Sequence, residues 1–135
     1  MGRSLLILLD THVVVWLAFE EARISKQAAS KILEAREGGE GLAISDISLF
    51  ELARVFKRER VRLAIGIESA LAEVERRFAV LPITGEISLR TLSLPGRYPK
   101  DPVDRIIGAT ALVEGIPLIT ADRQIRNSGA LATIW

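Results

Sequence analysis

Four carboxylates far apart in the chain stand where a fold could bring them together. Two aspartates close apolar runs: Asp10 ends Leu5-Leu6-Ile7-Leu8-Leu9, and Asp122 follows Pro117-Leu118-Ile119-Thr120-Ala121. Ligands in open α/β sheets bind at the carboxyl ends of strands, so both acids fall at one sheet edge. Asp101-Pro102-Val103-Asp104 supplies a third acid. Pro suits the first helical position, which makes Asp101 the N-cap and puts Asp104 one turn in. Glu51, within Ile47-Ser48-Leu49-Phe50-Glu51-Leu52-Ala53, is an acid among apolar helix residues. Each has a plainer role open to it: turn or cap for the aspartates, an exposed pair with Arg54 for Glu51. If all four converge, they repel and need a counter-charge. A divalent cation relieves that repulsion and can polarise a phosphate or a bound water, so phosphodiester hydrolysis is the natural chemistry.

Composition narrows the cation. The chain has no cysteine and one histidine, His12. Sulfur and multi-histidine sites are excluded, and oxygen ligands select Mg²⁺, Mn²⁺ or Ca²⁺. Absent cysteine fits a reducing, cytoplasmic setting. The charge balance, 18 Lys+Arg against 17 Asp+Glu, leaves binding to nucleic acid to local distribution. Basic residues accompany three of the acids: Arg54 and Arg58 beyond Glu51, Arg105 beside Asp104, Arg123 after Asp122. These four arginines are candidate phosphate contacts, although a charge run is usually a solvated face. Thr11, Ser45, Thr120 and Asp101 could orient a carboxylate or a water. Tyr98 is the plausible stacking platform near a candidate acid, and His12 is read as helping to start a helix.

The elements that must position these groups alternate. Residues 5–9, 42–45, 79–83, 116–120 and 132–135 read as strands. Helices are expected after Asp10, from Ser25 through Leu33 to a stop at Gly38-Gly39, over about Ile47–Arg58 and Ile67–Phe78, after Thr84, and from Asp101 to a stop at Gly115. Strands alternating with helices predict an α/β fold with a parallel sheet covered on both faces. The 135 residues suffice for one domain, 1–135, with an aliphatic core. No apolar run reaches the 18–20 or so residues of a membrane span, and the first nine residues read as a strand and not a signal peptide.

Taken together, Leu8-Leu9-Asp10-Thr11-His12 with Trp16, Ile44 to Ala53, Asp101 to Arg105, and Leu118 to Asp122 resemble the PIN domain, in particular the VapC-type ribonuclease toxins of prokaryotic toxin–antitoxin pairs. The match in order and spacing covers nearly the whole chain. The resemblance implies a three-layer α/β/α sandwich and a Mg²⁺- or Mn²⁺-dependent endoribonuclease, with Asp10, Glu51, Asp104 and Asp122 as metal-binding, catalytic acids. It also implies a homodimer silenced by a cognate antitoxin. Two other readings compete. One is a non-catalytic module holding RNA or protein, its acids serving as caps. The other is an aspartate-nucleophile phosphatase built on Asp10, whose usual second acid two residues on is replaced by His12.

Overall fold

The computed structural model of the protein describes residues 6–38 and 41–135. The chain runs β1 (Ile7–Leu9), α1 (Thr11–Phe19), α2 (Lys26–Glu37), β2 (Leu42–Ser45), α3 (Asp46–Arg58), α4 (Ile67–Arg77), β3 (Ala79–Leu81), α5 (Gly85–Arg90), α6 (Pro102–Glu114), β4 (Leu118–Ile119), α7 (Arg123–Ser128) and β5 (Thr133–Ile134), with 3₁₀ turns at Glu21–Arg23 and Thr91–Ser93. Leu5 of the first apolar run and Gly39 of the expected helix stop lie outside the described residues. All pairings are parallel, in the order β3-β2-β1-β4-β5. From β1 the chain builds outward to β2 and β3, then returns to lay β4 and β5 on the other side. The order therefore reverses between β1 and β4, and that crevice is where such sheets bind ligands.

Alternation along β1 divides the apolar interior in two. Ile7 and Leu9 join Leu42, Ile44, Val13, Ile32, Leu52, Phe56 and Val74 on one face, covered by α1 to α4. Leu8 and Ala43 join Leu118, Tyr98, Ile107, Ala111 and Ile125 on the other, covered by α6 and α7. The result is the expected three-layer α/β/α sandwich. Each fully buried Leu or Ile contributes about 1.5–3 kcal/mol, so the aliphatic core suffices without many aromatics.

Local chemistry sets the helix ends. The Ser25 hydroxyl accepts from the Ala28 amide at 3.1 Å, and Thr84 accepts from Ile87 at 3.1 Å. At the end of α6, Gly115 takes φ 66°, a left-handed turn that glycine enters at little cost. Two expectations change. The strand expected over 116–120 hydrogen-bonds as a strand only at Leu118–Ile119, and the one over 79–83 stops at Leu81, before Pro82 removes a donor. The helix α7 was not expected: its six residues are too short and too polar to show a periodicity.

Candidate active site

Asp10 leaves β1 at the reversal point and is 6% exposed. Its carboxylate does not cap α1. Instead Asp10 Oδ2 accepts a hydrogen bond from Thr120 Oγ1 at 2.8 Å. Thr120 Oγ1 in turn accepts from the Asp122 amide at 3.1 Å. One hydroxyl thus links the acid ending β1 to the acid following β4. Burial pushes the Asp10 carboxyl up from its ordinary value, against the bond from Thr120 and the nearby His12, with Asp122 adding to the rise.

Asp104 enters from the first turn of α6. The Asp101 carboxylate caps that helix, accepting from the Val103 amide at 2.8 Å and the Asp104 amide at 3.3 Å. The cap fixes where the next turn points. Burial, then Asp10, Asp101, Asp122 and Glu51 in that order, push the Asp104 carboxyl up to about 7. Glu51 of α3 thus lies close enough for its charge to act on the same group. The other three sequence-predicted acids therefore all act on Asp104, although they come from separate segments. Among the described residues, no ion pair involves any of them.

The donor set fits a hard, oxygen-preferring cation in type: carboxylates, no thiol, and an acid whose proton affinity is raised by its neighbours. Mutual repulsion reaches farther than ligation, however. Among the described residues, no three acidic or histidine side chains are gathered tightly enough, as they stand, to hold a metal ion. Asp122 also spends one oxygen, Oδ1, capping α7 through the Ile125 amide at 3.0 Å.

The neighbouring groups divide. Thr120 contacts Asp10 directly. The Thr11 hydroxyl, expected at a carboxylate or water, instead shares a 2.8 Å bond with Ser48 that pins α1 to α3. Ser45 caps α3 through the Ile47 amide at 3.2 Å. Arg105 does not face outward: its Nη1 donates to the Thr91 carbonyl at 3.2 Å, and its guanidinium lies 6.0 Å from the Tyr98 ring centroid. Arg54, Arg58 and Arg123 are exposed, with Arg54 5.7 Å from the Phe50 ring centroid.

Tyr98 is a correction. It is fully buried and offers no platform to a base. Its hydroxyl donates to the Asp104 carbonyl at 2.9 Å, and burial with the fields of Asp104, Asp10 and Asp122 pushes its ionisation up. The niche exists because residue 108 is glycine: a Cβ there would stand 2.2 Å from the Tyr98 hydroxyl oxygen. Tyr98 thus braces the turn that carries Asp104, a role sequence reasoning missed, since nothing local marks the Gly108 niche ten residues on.

A parallel α/β/α sandwich with acids at the ends of β1 and β4 and in the first turn of α6 has the architecture of the PIN fold. The chain belongs to the PIN domain family, whose model matches residues 7–130. It is 39% identical over 121 residues to Ribonuclease VapC22 of Mycobacterium tuberculosis, covering 90% of each protein. Among solved structures, it is similar in fold to VapBC2 from Rickettsia felis bound to a promoter DNA fragment (TM-score 0.72, 17% identity, 95% of this chain and 96% of that one). DNA-bound VapBC from Salmonella typhimurium is also similar (TM-score 0.68, 20% identity, 94% and 95% covered).

Proposed function

We propose that this chain is a metal-dependent endoribonuclease that hydrolyses RNA phosphodiester bonds as the toxin of a toxin–antitoxin pair. The observation that carries this reading is that Asp10, Glu51 and Asp122 all act on the Asp104 carboxyl and raise its proton affinity, with none of the four in an ion pair among the described residues. Its resemblance to Ribonuclease VapC22 supports RNA as the substrate. The quartet would hold Mg²⁺ or Mn²⁺, which supplies Lewis-acid activation of the phosphate and of the attacking water. Thr120 holds the Asp10 carboxylate in place, Asp101 and Tyr98 hold the turn bearing Asp104, and Arg58 and Arg123 are exposed to take phosphates.

The test is cleavage of RNA with Mn²⁺, with and without chelator, by the native protein and Asp10→Asn. Cleavage that needs the metal and disappears in the variant is expected, and undiminished cleavage by the variant removes the assignment. The absence of a ready three-ligand group favours a second reading, a non-catalytic binding module. Mn²⁺ separates the two: a metal site gains thermal stability through mass action, and a binding-only module does not.

An antitoxin is the proposed protein partner, supported by the fold shared with toxin–antitoxin complexes. A cleft of about 460 Å³ between α1, α3 and α4, lined by Val14, Leu17, Phe19, Phe56, Leu63 and Val74, offers it an apolar seat. Phe50, Leu89 and Leu92 are large apolar side chains left exposed, which supports a homodimer. Among the described residues, no helix is long and apolar enough to cross a membrane. The cytoplasm is the proposed setting.

A further inference from the structure

With Tyr98 buried, any aromatic contact to a nucleic acid must come from elsewhere. The two tryptophans of the chain, Trp16 and Trp135, meet with ring centroids 5.7 Å apart and planes at 57°. His12 follows, 6.4 Å from Trp16 at 45°. The Arg23 guanidinium lies 4.5 Å from the Trp16 ring centroid. Three rings and a cation therefore form a continuous strip.

Topology places that strip. Because β5 runs parallel to β4, Trp135 leaves the sheet at the edge that carries Asp10 and Asp122. His12 lies in the first turn of α1, two residues after Asp10. Trp135 is anchored by its carbonyl, which accepts from the Ser25 hydroxyl at 3.0 Å while the same hydroxyl caps α2. Trp135, half-buried, packs against the α1–α4 apolar cluster, whereas Trp16, also half-buried, packs into neither cluster, so core formation explains the outer ring and not the central one. Arg23 also pairs with Glu20 at 3.5 Å, so its charge is partly met within the strip.

We propose that His12, Trp16 and Trp135 form a base-stacking track that receives unpaired nucleotides of the RNA flanking the cleaved bond, with Arg23 bracing the central ring. The inference rests on the ribonuclease reading. Aromatic rings in series suit single strands because every base has a π face, and proteins read RNA chiefly through unstacked bases. The contiguity of His12 with the acid edge argues for a substrate strand over a protein partner.

Both tryptophans lie in the strip, so intrinsic fluorescence reads it directly. Short oligouridylate and oligoadenylate are titrated into Asp104→Asn protein, with chelator present to keep the RNA intact. Saturable quenching is expected with single strands and not with a duplex. In a background with the quartet intact, Trp16→Leu should raise the KM for RNA about tenfold, the loss of one base–aromatic stack, with kcat little changed. Trp16→Phe, which keeps a ring, should stay within about threefold. If Trp16→Leu does not fold, quenching of the unaltered strip and the Trp16→Phe kinetics still decide. Binding seen by anisotropy without quenching, or a native KM in Trp16→Leu, overturns the track. Quenching by an antitoxin peptide but not by RNA also overturns it. Absence of any RNA cleavage by the native protein with Mn²⁺ is instead a failure of the ribonuclease reading.

Discussion

Glu73 and Asp104 are both helical carboxylates with arginines close by in sequence, and their surroundings drive them apart. Glu73 lies on the exposed face of α4, where hydrogen bonds from Arg77 and Arg76 hold its carboxyl below the usual range. Asp104 lies one turn into α6, where burial and four other acids push it up to about 7. Its sequence neighbour Arg105 turns away, to Thr91 and Tyr98. The chain has 18 Lys+Arg, so the acidic crevice is not short of cations for lack of supply. Charge neutralisation is achieved on the solvent face of α4 and withheld at the sheet edge, the pattern expected where strain is kept for function.

Asp104→Asn should break the comparison most severely. RNA cleavage is expected to fall by more than about 100-fold, beyond what changes behind the ligands cost. The melting temperature of the metal-free protein at pH 7.5 should rise, because one repelling charge is gone. A fall in both would show that Asp104 is structural.

Gly108→Ala comes next. Overpacking against Tyr98 should cost about 1–3 kcal/mol in denaturant unfolding, and Tyr98→Phe in the same protein should recover part of it by removing the clashing oxygen. Additive losses would mean that the two residues do not share the niche.

The pH dependence follows the direction of the Asp104 shift. Its native value is near 7, above the unfolded value of about 3.9. The native state therefore binds its proton more tightly, and that contribution to stability is present at low pH and lost as pH rises from about 4 through about 7. Melting of the metal-free protein by calorimetry should show this decline, and Asp104→Asn should flatten it.

The smallest effect is expected from Glu73→Gln. Its side chain is partly exposed and its pairs lie at the solvent surface, where such pairs contribute little. Neither melting temperature nor RNA cleavage should change measurably. A clear loss of cleavage would extend the functional surface to α4.

The legibility of the sequence follows the range of the interactions. Ser25, Thr84 and Asp101-Pro102 cap their helices as read because a cap is settled within four residues. The parallel sheet was readable because buried strands are apolar on both faces, as in Leu8-Leu9 and Leu42-Ala43-Ile44. The acids themselves were readable as residues following strands or opening helices. Their mutual repulsion, like the Thr120–Asp10 bond across 110 positions, depends on the closed fold. Tyr98 was misplaced for the same reason: an aromatic in a Pro/Gly loop reads as surface until the missing Cβ of Gly108 is known to lie beneath it. Trp135 follows a two-residue strand, and only the pairing of β5 with β4 brings it to the edge that carries Asp10 and Asp122.

The Thr120 hydroxyl has one proton, and Asp10 takes it, while the lone pairs on the other side receive the Asp122 amide. Its orientation is therefore committed, and it acts as a rivet between the ends of β1 and β4. Spreading their tips would break the Thr120–Asp10 bond while the Asp122 bond, local to the β4 side, would survive, so that single cross-strand hydroxyl is what ties the two aspartate-bearing ends to each other.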